Sequence, residues 1–243
     1  MKKYITLLLI IIIIILFGIK FCHNDNYDLI KARELVDKYY YKNYFTGDMF
    51  DGLTDKYKFW LAYSKLDSKE KQQLSCDSLY QSTSFSKDIN GYKIDNSRYC
   101  DGNVNVVTYS DINRAYKELF GSDESIKKQD VSQFNYISNR DIFVELGCRC
   151  DESFSIVNVF GIPKAKKNKD ELVITVQYSL LNKVDKDNYY SKLDNTKYLS
   201  EDVFSEGFEK KYIDKNKNII NVYELTYKKD NGEYVLKTLV KVK

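Results

Sequence analysis

The nearly unbroken apolar run from Tyr4 to Ile19, preceded by Met1-Lys2-Lys3, constrains this chain more than any other stretch. It decides the solvent in which the rest must fold. Only Thr6 and Gly18 interrupt its isoleucines, leucines and aromatics, and Lys20, Phe21 and Cys22 follow before the polar His23-Asn24-Asp25-Asn26. A membrane-spanning helix takes about 20 residues and rarely fewer than about 17, whereas the core of a signal peptide takes about 7 to 15. Tyr4 to Phe21 does not decide between them by length, but the cleavage region does. Signal peptidase needs small residues just before the cut, and here Ile19, Lys20 and Phe21 are bulky or charged. The sequence therefore predicts a retained anchor over residues 1–22, with Lys20 reaching its ammonium to the headgroups.

Two rival readings exist. A lipoprotein acylated at Cys22 resembles this stretch only in the cysteine, because Phe21 stands where a small residue belongs. A buried core helix is rarely apolar on every face. Lys2 and Lys3 stay cytoplasmic under the positive-inside rule, which puts residues 23–243 outside as a single-pass extracellular domain whose first partner is the lipid bilayer.

Removing Lys2, Lys3 and Lys20 from the 38 basic residues leaves 35 in the exported part, against 35 acidic ones. That part is formally neutral, so no basic field argues for nucleic acid. Hydrophobic residues at 43%, with 15% aromatic, suffice for a packed core.

Four cysteines, Cys76, Cys100, Cys148 and Cys150, lie in the exported part. In an oxidising compartment an even set reads first as two disulfides. Cys148-Arg149-Cys150 on a strand would place its sulfurs on one face about 6.6 Å apart, too far for an easy mutual bond. Each is expected to pair outward with Cys76 or Cys100, while Cys76 with Cys100 and a strained Cys148 with Cys150 is the competing connectivity.

Asn26 or Asp28 caps a first helix with Leu29, Ala32, Leu35, Val36, Tyr39 and Tyr40 at helical spacing, supported by a Glu34–Lys38 pair and ending near Gly47. The tyrosines Tyr39, Tyr40, Tyr41 and Tyr44 read as core more readily than as a ligand platform. Thr54 opens a second helix through Trp60 to Leu66, and Asp67 with Glu70 reads as a capping box for a third, running past Cys76 toward Leu79. Residues 82–108 read as irregular with a strand at Val104 to Thr108, after which Ser110 caps a helix from Asp111 to Phe120 that Gly121 stops.

The β-rich part begins at Ile142 to Leu146. Strands follow at Phe154 to Ile162 and Leu172 to Leu181, joined by a lysine-rich turn through Pro163 to Lys169. Residues 183–217 are ambiguous, and Ser200 to Tyr212 reads as a helix or an insertion. Asn231-Gly232 suits a type I′ turn, a register that pairs Tyr227 with Leu236, Leu225 with Thr238 and Tyr223 with Val240 on the core face. Thr226, Lys237, Glu224 and Lys241 take the wet face.

The expected fold class is α+β: an N-terminal transmembrane helix, then a helical half (about 27–130) packed on a C-terminal antiparallel β-sheet (about 140–243). That order loosely resembles the cystatin-like or NTF2-like cone of exported bacterial accessory domains. The likeness covers about residues 110–243, rests on element order, and implies no site residue.

His23 is the only histidine, which removes Ser-His-Asp, Cys-His and H-E-x-x-H chemistry. No phosphate-binding or nucleotide-binding glycine motif occurs. Asp214-x-Asn216-x-Asn218 begins like a calcium loop but has Ile219 and Leu225 where the glycine and glutamate belong, and Asp185-x-Asp187 fails at Tyr190. Both read as solvated hairpin loops. No catalytic, cofactor-binding or metal-ligating residue is singled out, and no cofactor is implied. The expectation is a non-catalytic binding or accessory module of the cell envelope, offering the sheet's concave face to an envelope protein, peptide or glycan. The alternative is a carboxylate-based envelope hydrolase.

Non-reducing peptide mapping checks the cysteines. The expected products join Cys148 and Cys150 to Cys76 and Cys100, and each bridge should contribute about 2 to 4 kcal/mol. A Cys76–Cys100 peptide, or free thiols, refutes that connectivity.

Overall fold

A computed structural model describes residues 29–40, 47–75, 78–79, 102–145 and 156–243. Over these the chain is α+β, with antiparallel sheets and a few helices. The apolar run, His23, Tyr41, Tyr44 and all five cysteines fall outside the described residues, and the disulfide question lies there with them. Among the described residues no helix is long and apolar enough to cross a membrane.

Helix α1 (residues 29–39) buries Ala32, Leu35, Val36 and Tyr39, the stripe its spacing predicts. Its i,i+4 ion pair is Arg33–Asp37 at 3.4 Å, not the expected Glu34–Lys38. Helix α2 (Asp55–Lys65) starts where Thr54 Oγ1 accepts the Tyr57 N–H at 3.1 Å. It buries six of the seven residues from Tyr57 to Tyr63, all but Lys58, so it is enclosed on most sides. Phe59, Trp60 and Tyr63 all meet the ring of Phe134 at centroid distances of 4.7 to 4.9 Å.

The third expected helix does not form. The capping contacts do, since Asp67 Oδ1 accepts the Glu70 N–H and Glu70 Oε2 accepts the Asp67 N–H, but the chain then enters strand β1 (Gln72–Ser75). Residues 68–78 offer a helix no apolar stripe, so pairing with strand β2 (Asn103–Thr108) prevails. Helix α3 (Tyr109–Phe120) is capped by Thr108, two residues earlier than the expected Ser110. Thr108 Oγ1 accepts the Asp111 N–H at 3.1 Å and donates to Asp111 Oδ2 at 2.6 Å. Strands β3 (Phe134–Ile137) and β4 (Ile142–Glu145) complete a four-stranded sheet in the order β1-β2-β4-β3.

The second sheet is built around β6 (Glu171–Lys183). Strand β5 (Ile156–Asn168) pairs along one edge of it, while the other edge is shared by β9 (Asn221–Asp230) and β7 (Asn188–Ser191). Strand β10 (Glu233–Lys241) flanks β9, and β8 (Lys197–Leu199) flanks β7. The expected lysine-rich loop is instead strand. β5 continues past Pro163 because a bulge between Gly161 and Lys164 takes up the proline, and the chain reverses only at Lys169-Asp170.

Leu172, Ile174, Val176 and Tyr178 of β6, with Tyr223, Leu225 and Tyr227 of β9, face the main core under α1, α2 and α3. Helices α4 (Ser200–Val203) and α5 (Phe208–Asn216) cover part of the opposite face over Val159 and Leu181, which resolves the ambiguous 183–217 segment.

The terminal hairpin turns at Asn231-Gly232 and pairs Tyr227 with Leu236 as expected. Beyond that, a bulge at Lys237 moves the register, so that Leu239 opposes Leu225 and Lys241 opposes Tyr223. Val240, expected in the core, is 53% exposed, and Leu239 packs against the core instead. Lys237 leaves the wet ladder to bond Asp123 at 2.7 Å. Leu236, 1% exposed, should lose about 2 to 5 kcal/mol on truncation to alanine. Val240→Ala should stay within about 0.5 kcal/mol. Denaturation followed by the fluorescence of buried Trp60 separates the two, and equal losses would contradict the bulged register.

Candidate functional site: a groove beside helix α3

The polar face of α3 carries Ser110, Asn113, Arg114, Lys117 and Glu118, residues that helical spacing brings into one stripe. Opposite it stands the tip of the β9–β10 hairpin with Asp230, Asn231 and Glu233, and Lys38 closes one end from α1. Between these walls is a groove of about 700 Å³, lined also by Val235 and Tyr109. That volume lies within the range of small-ligand sites.

The walls are tied together at the end of α3. Gly121 ends the helix at φ 116°, a conformation open to glycine, and a Cβ there would lie 2.5 Å from Lys237 Nζ and 2.8 Å from Asp123 Oδ1. Its absence lets Lys237 reach Asp123, and lets Asp230 accept both the N–H and the Oγ–H of Ser122.

Several groove charges are already engaged. Arg114 pairs with Glu118 at 2.9 Å and with Glu70. Asn113 uses its Oδ1 to accept the Ile126 N–H at 3.0 Å. Lys38, Lys117 and Glu233, by contrast, make no ion pair among the described residues.

Three further polar clusters, two buried and one half-buried, are fittings of the fold. Asp48, 3% exposed, accepts the Phe50 N–H at 3.0 Å and the Tyr178 hydroxyl at 2.6 Å, and stands beside Tyr40. Glu145 accepts from Tyr63, Asn105 and Gln133 at 2.6, 2.9 and 3.2 Å, joining α2 to the first sheet. The Tyr212 hydroxyl bonds Ser179 and Ser191 at 2.9 and 2.6 Å beneath α5.

The calcium-like stretches resolve differently from each other. Asp185 sits in a hairpin loop as expected, bonding the Asp187 N–H and Asn188 Nδ2. Asp214 and Asn216 lie on α5, and Asn216 is buried with its Nδ2 on Tyr212 O, which corrects the reading of a solvated loop. Among the described residues no His, Cys, Asp and Glu side chains group as a metal site.

Among the described residues, four carboxylates are held below the ordinary range. Lys237 holds Asp123 low, Lys128 holds Asp141 low, and Asn188 holds Asp185 low. Burial pushes Asp194 up, but hydrogen bonds from Thr196 and Ser191 together with the Lys215 charge more than offset it. The tyrosines move the other way. Burial raises Tyr39 to about 12, against the opposing Leu236 N–H. Burial, then the Asp48 charge, lifts Tyr178 and Tyr40 further, and burial raises Tyr116 and Tyr227.

No family model, curated protein or solved structure matches the chain. The groove was missed in the sequence, although half of it was visible there as the polar stripe of α3.

The raised tyrosines set a pH limit. Their folded-state values exceed the unfolded 10.0, so the stability they contribute is full below about pH 10 and is lost as pH rises through the folded values. Tyrosinate absorbance should therefore appear together with loss of near-ultraviolet circular dichroism above about pH 10. Smooth titration of most tyrosines in a still-folded protein would contradict their burial.

Proposed function

We propose that the protein is a membrane-anchored extracytoplasmic binding or accessory module of the cell envelope, and that the groove beside α3 is its ligand site. The observation that carries this reading is the groove's lining, in which Lys38, Lys117 and Glu233 have no ion-pair partner among the described residues while Arg114 and Asp230 are held by their neighbours. The Tyr4–Ile19 run behind Lys2 and Lys3 supports the anchor and the orientation. The apolar face of the six-stranded sheet is filled by α1, α2 and α3, so binding shifts from that face to the groove. The likeness in element order to cystatin-like and NTF2-like cones belongs to the same reading, supported by the long β5–β6 and β9–β10 hairpins packed on helices.

A carboxylate-based hydrolase would draw on Glu118, Asp230 and Glu233 around the same groove. Glu118 is paired with Arg114 and Asp230 accepts two bonds from Ser122, so both carboxylates are already engaged by neighbouring side chains of the fold. Binding is therefore the better-supported role.

Fractionation with external protease tests the anchor. Full-length protein is expected in membranes, with residues 23–243 cleaved from outside and Met1 or Lys2 as the amino terminus. An acylated Cys22 at the amino terminus would replace the anchor with a lipoprotein.

A further inference from the structure

Lys38 and Lys117 enter the groove from different helices, α1 and α3, and neither has a carboxylate partner among the described residues. Burial and then the Lys38 charge hold the Lys65 ammonium below its ordinary pKa, so two like charges are near enough to repel. An anion placed beside Lys38 relieves that repulsion.

The identity of the anion follows from what else lines the groove. Phosphate recognition favours the planar fork of arginine, but Arg114 is committed to Glu118 and Glu70. Sugar rings stack on free aromatic faces, and the Tyr109 ring has Lys128 Nζ over it at 4.3 Å. A peptide suits the remaining groups. The Nδ2 of Asn113, which has no partner among the described residues, the side chain of Asn231 and the Ser110 hydroxyl can bond main-chain amides. Glu233 can accept an N–H or a cationic group, and Val235 offers an apolar contact.

We infer that the groove binds an acidic peptide segment, with Lys38 and Lys117 receiving its carboxylates. This rests on the groove being the ligand site.

The test uses the full chain in nanodiscs of zwitterionic lipid. Its probes are a capped Ala-Glu-Ala-Glu-Ala peptide, the Ala-Gln-Ala-Gln-Ala counterpart, chitohexaose and inorganic polyphosphate. The glutamate peptide is expected to bind about threefold to tenfold more tightly than the glutamine peptide at low salt, with the difference shrinking as salt rises. Lys38→Gln with Lys117→Gln should abolish that preference, whereas Lys211→Gln on α5 should not. Equal binding of the two peptides, or a preference that survives the double variant, overturns the inference. Tighter binding of polyphosphate or chitohexaose overturns the peptide assignment while leaving the groove as the site. Binding unaffected by Asn113→Trp, which fills the groove, overturns the site itself. Thermal melts confirm that each variant folds.

Discussion

The hydroxyl of Tyr39 is the contact on which the arrangement of layers depends. It donates to the Leu119 carbonyl at the end of α3 and accepts the Leu236 N–H of β10 at 3.2 Å, so one atom on α1 fixes a helix and an edge strand. The ring above it packs on Phe120 and edge-on to Tyr227, and the Tyr39 carbonyl receives the Tyr57 hydroxyl of α2 at 3.0 Å. A polar atom buried this deeply is costly unless both its donor and acceptor capacities are used. Using both requires α1, α3 and β10 to meet at one point, which is a geometric condition that apolar packing alone does not impose.

From that point the rest follows outward. β6 has neighbours on both edges and helices over parts of both faces, so its alternating burial separates two cores: Leu172 to Tyr178 toward α1–α3, and Ser179 and Leu181 toward α5. The second core keeps a small polar network, Tyr212 with Ser179 and Ser191, in which each hydroxyl has a partner. The main core keeps another at Asp48, where a buried carboxylate is tolerated because an N–H and a tyrosine hydroxyl solvate it. Such networks suit an aromatic-rich chain, since tyrosine supplies apolar area and a polar tip together.

What the sequence revealed was what is local. The stripe Ala32, Leu35, Val36 and Tyr39, the caps at Thr54 and Gly121, the strand at Val104–Thr108 and the Asn231-Gly232 turn each rest on neighbours within a few residues, and each was legible. The failures were tertiary. The Asp67–Glu70 box formed its bonds without a helix because β2 offered a ladder to the next residues. Pro163 and Lys237 both sit in bulges, and no periodicity announces a bulge before its partner strand is known. The groove shared this fate. Its α3 wall was readable as a polar stripe, but its other wall lies more than a hundred residues away.

The bulge at Lys237 links the fold to the groove. Without it, Lys237 would remain in the regular outward ladder, and Val240 would turn inward. With it, Lys237 bonds Asp123 while Ser122 bonds Asp230, so the turn after α3 is clamped to both strands of the hairpin. Gly121 is what permits the clamp to close, because a side chain there would occupy the position of the Lys237 ammonium. The groove's two walls are thus held at a fixed separation by contacts that do not use Lys38, Lys117 or Glu233. A groove whose walls are fixed by other groups would lose little conformational freedom on binding, and Lys38, Lys117 and Glu233, without ion-pair partners among the described residues, are not spent on holding it open.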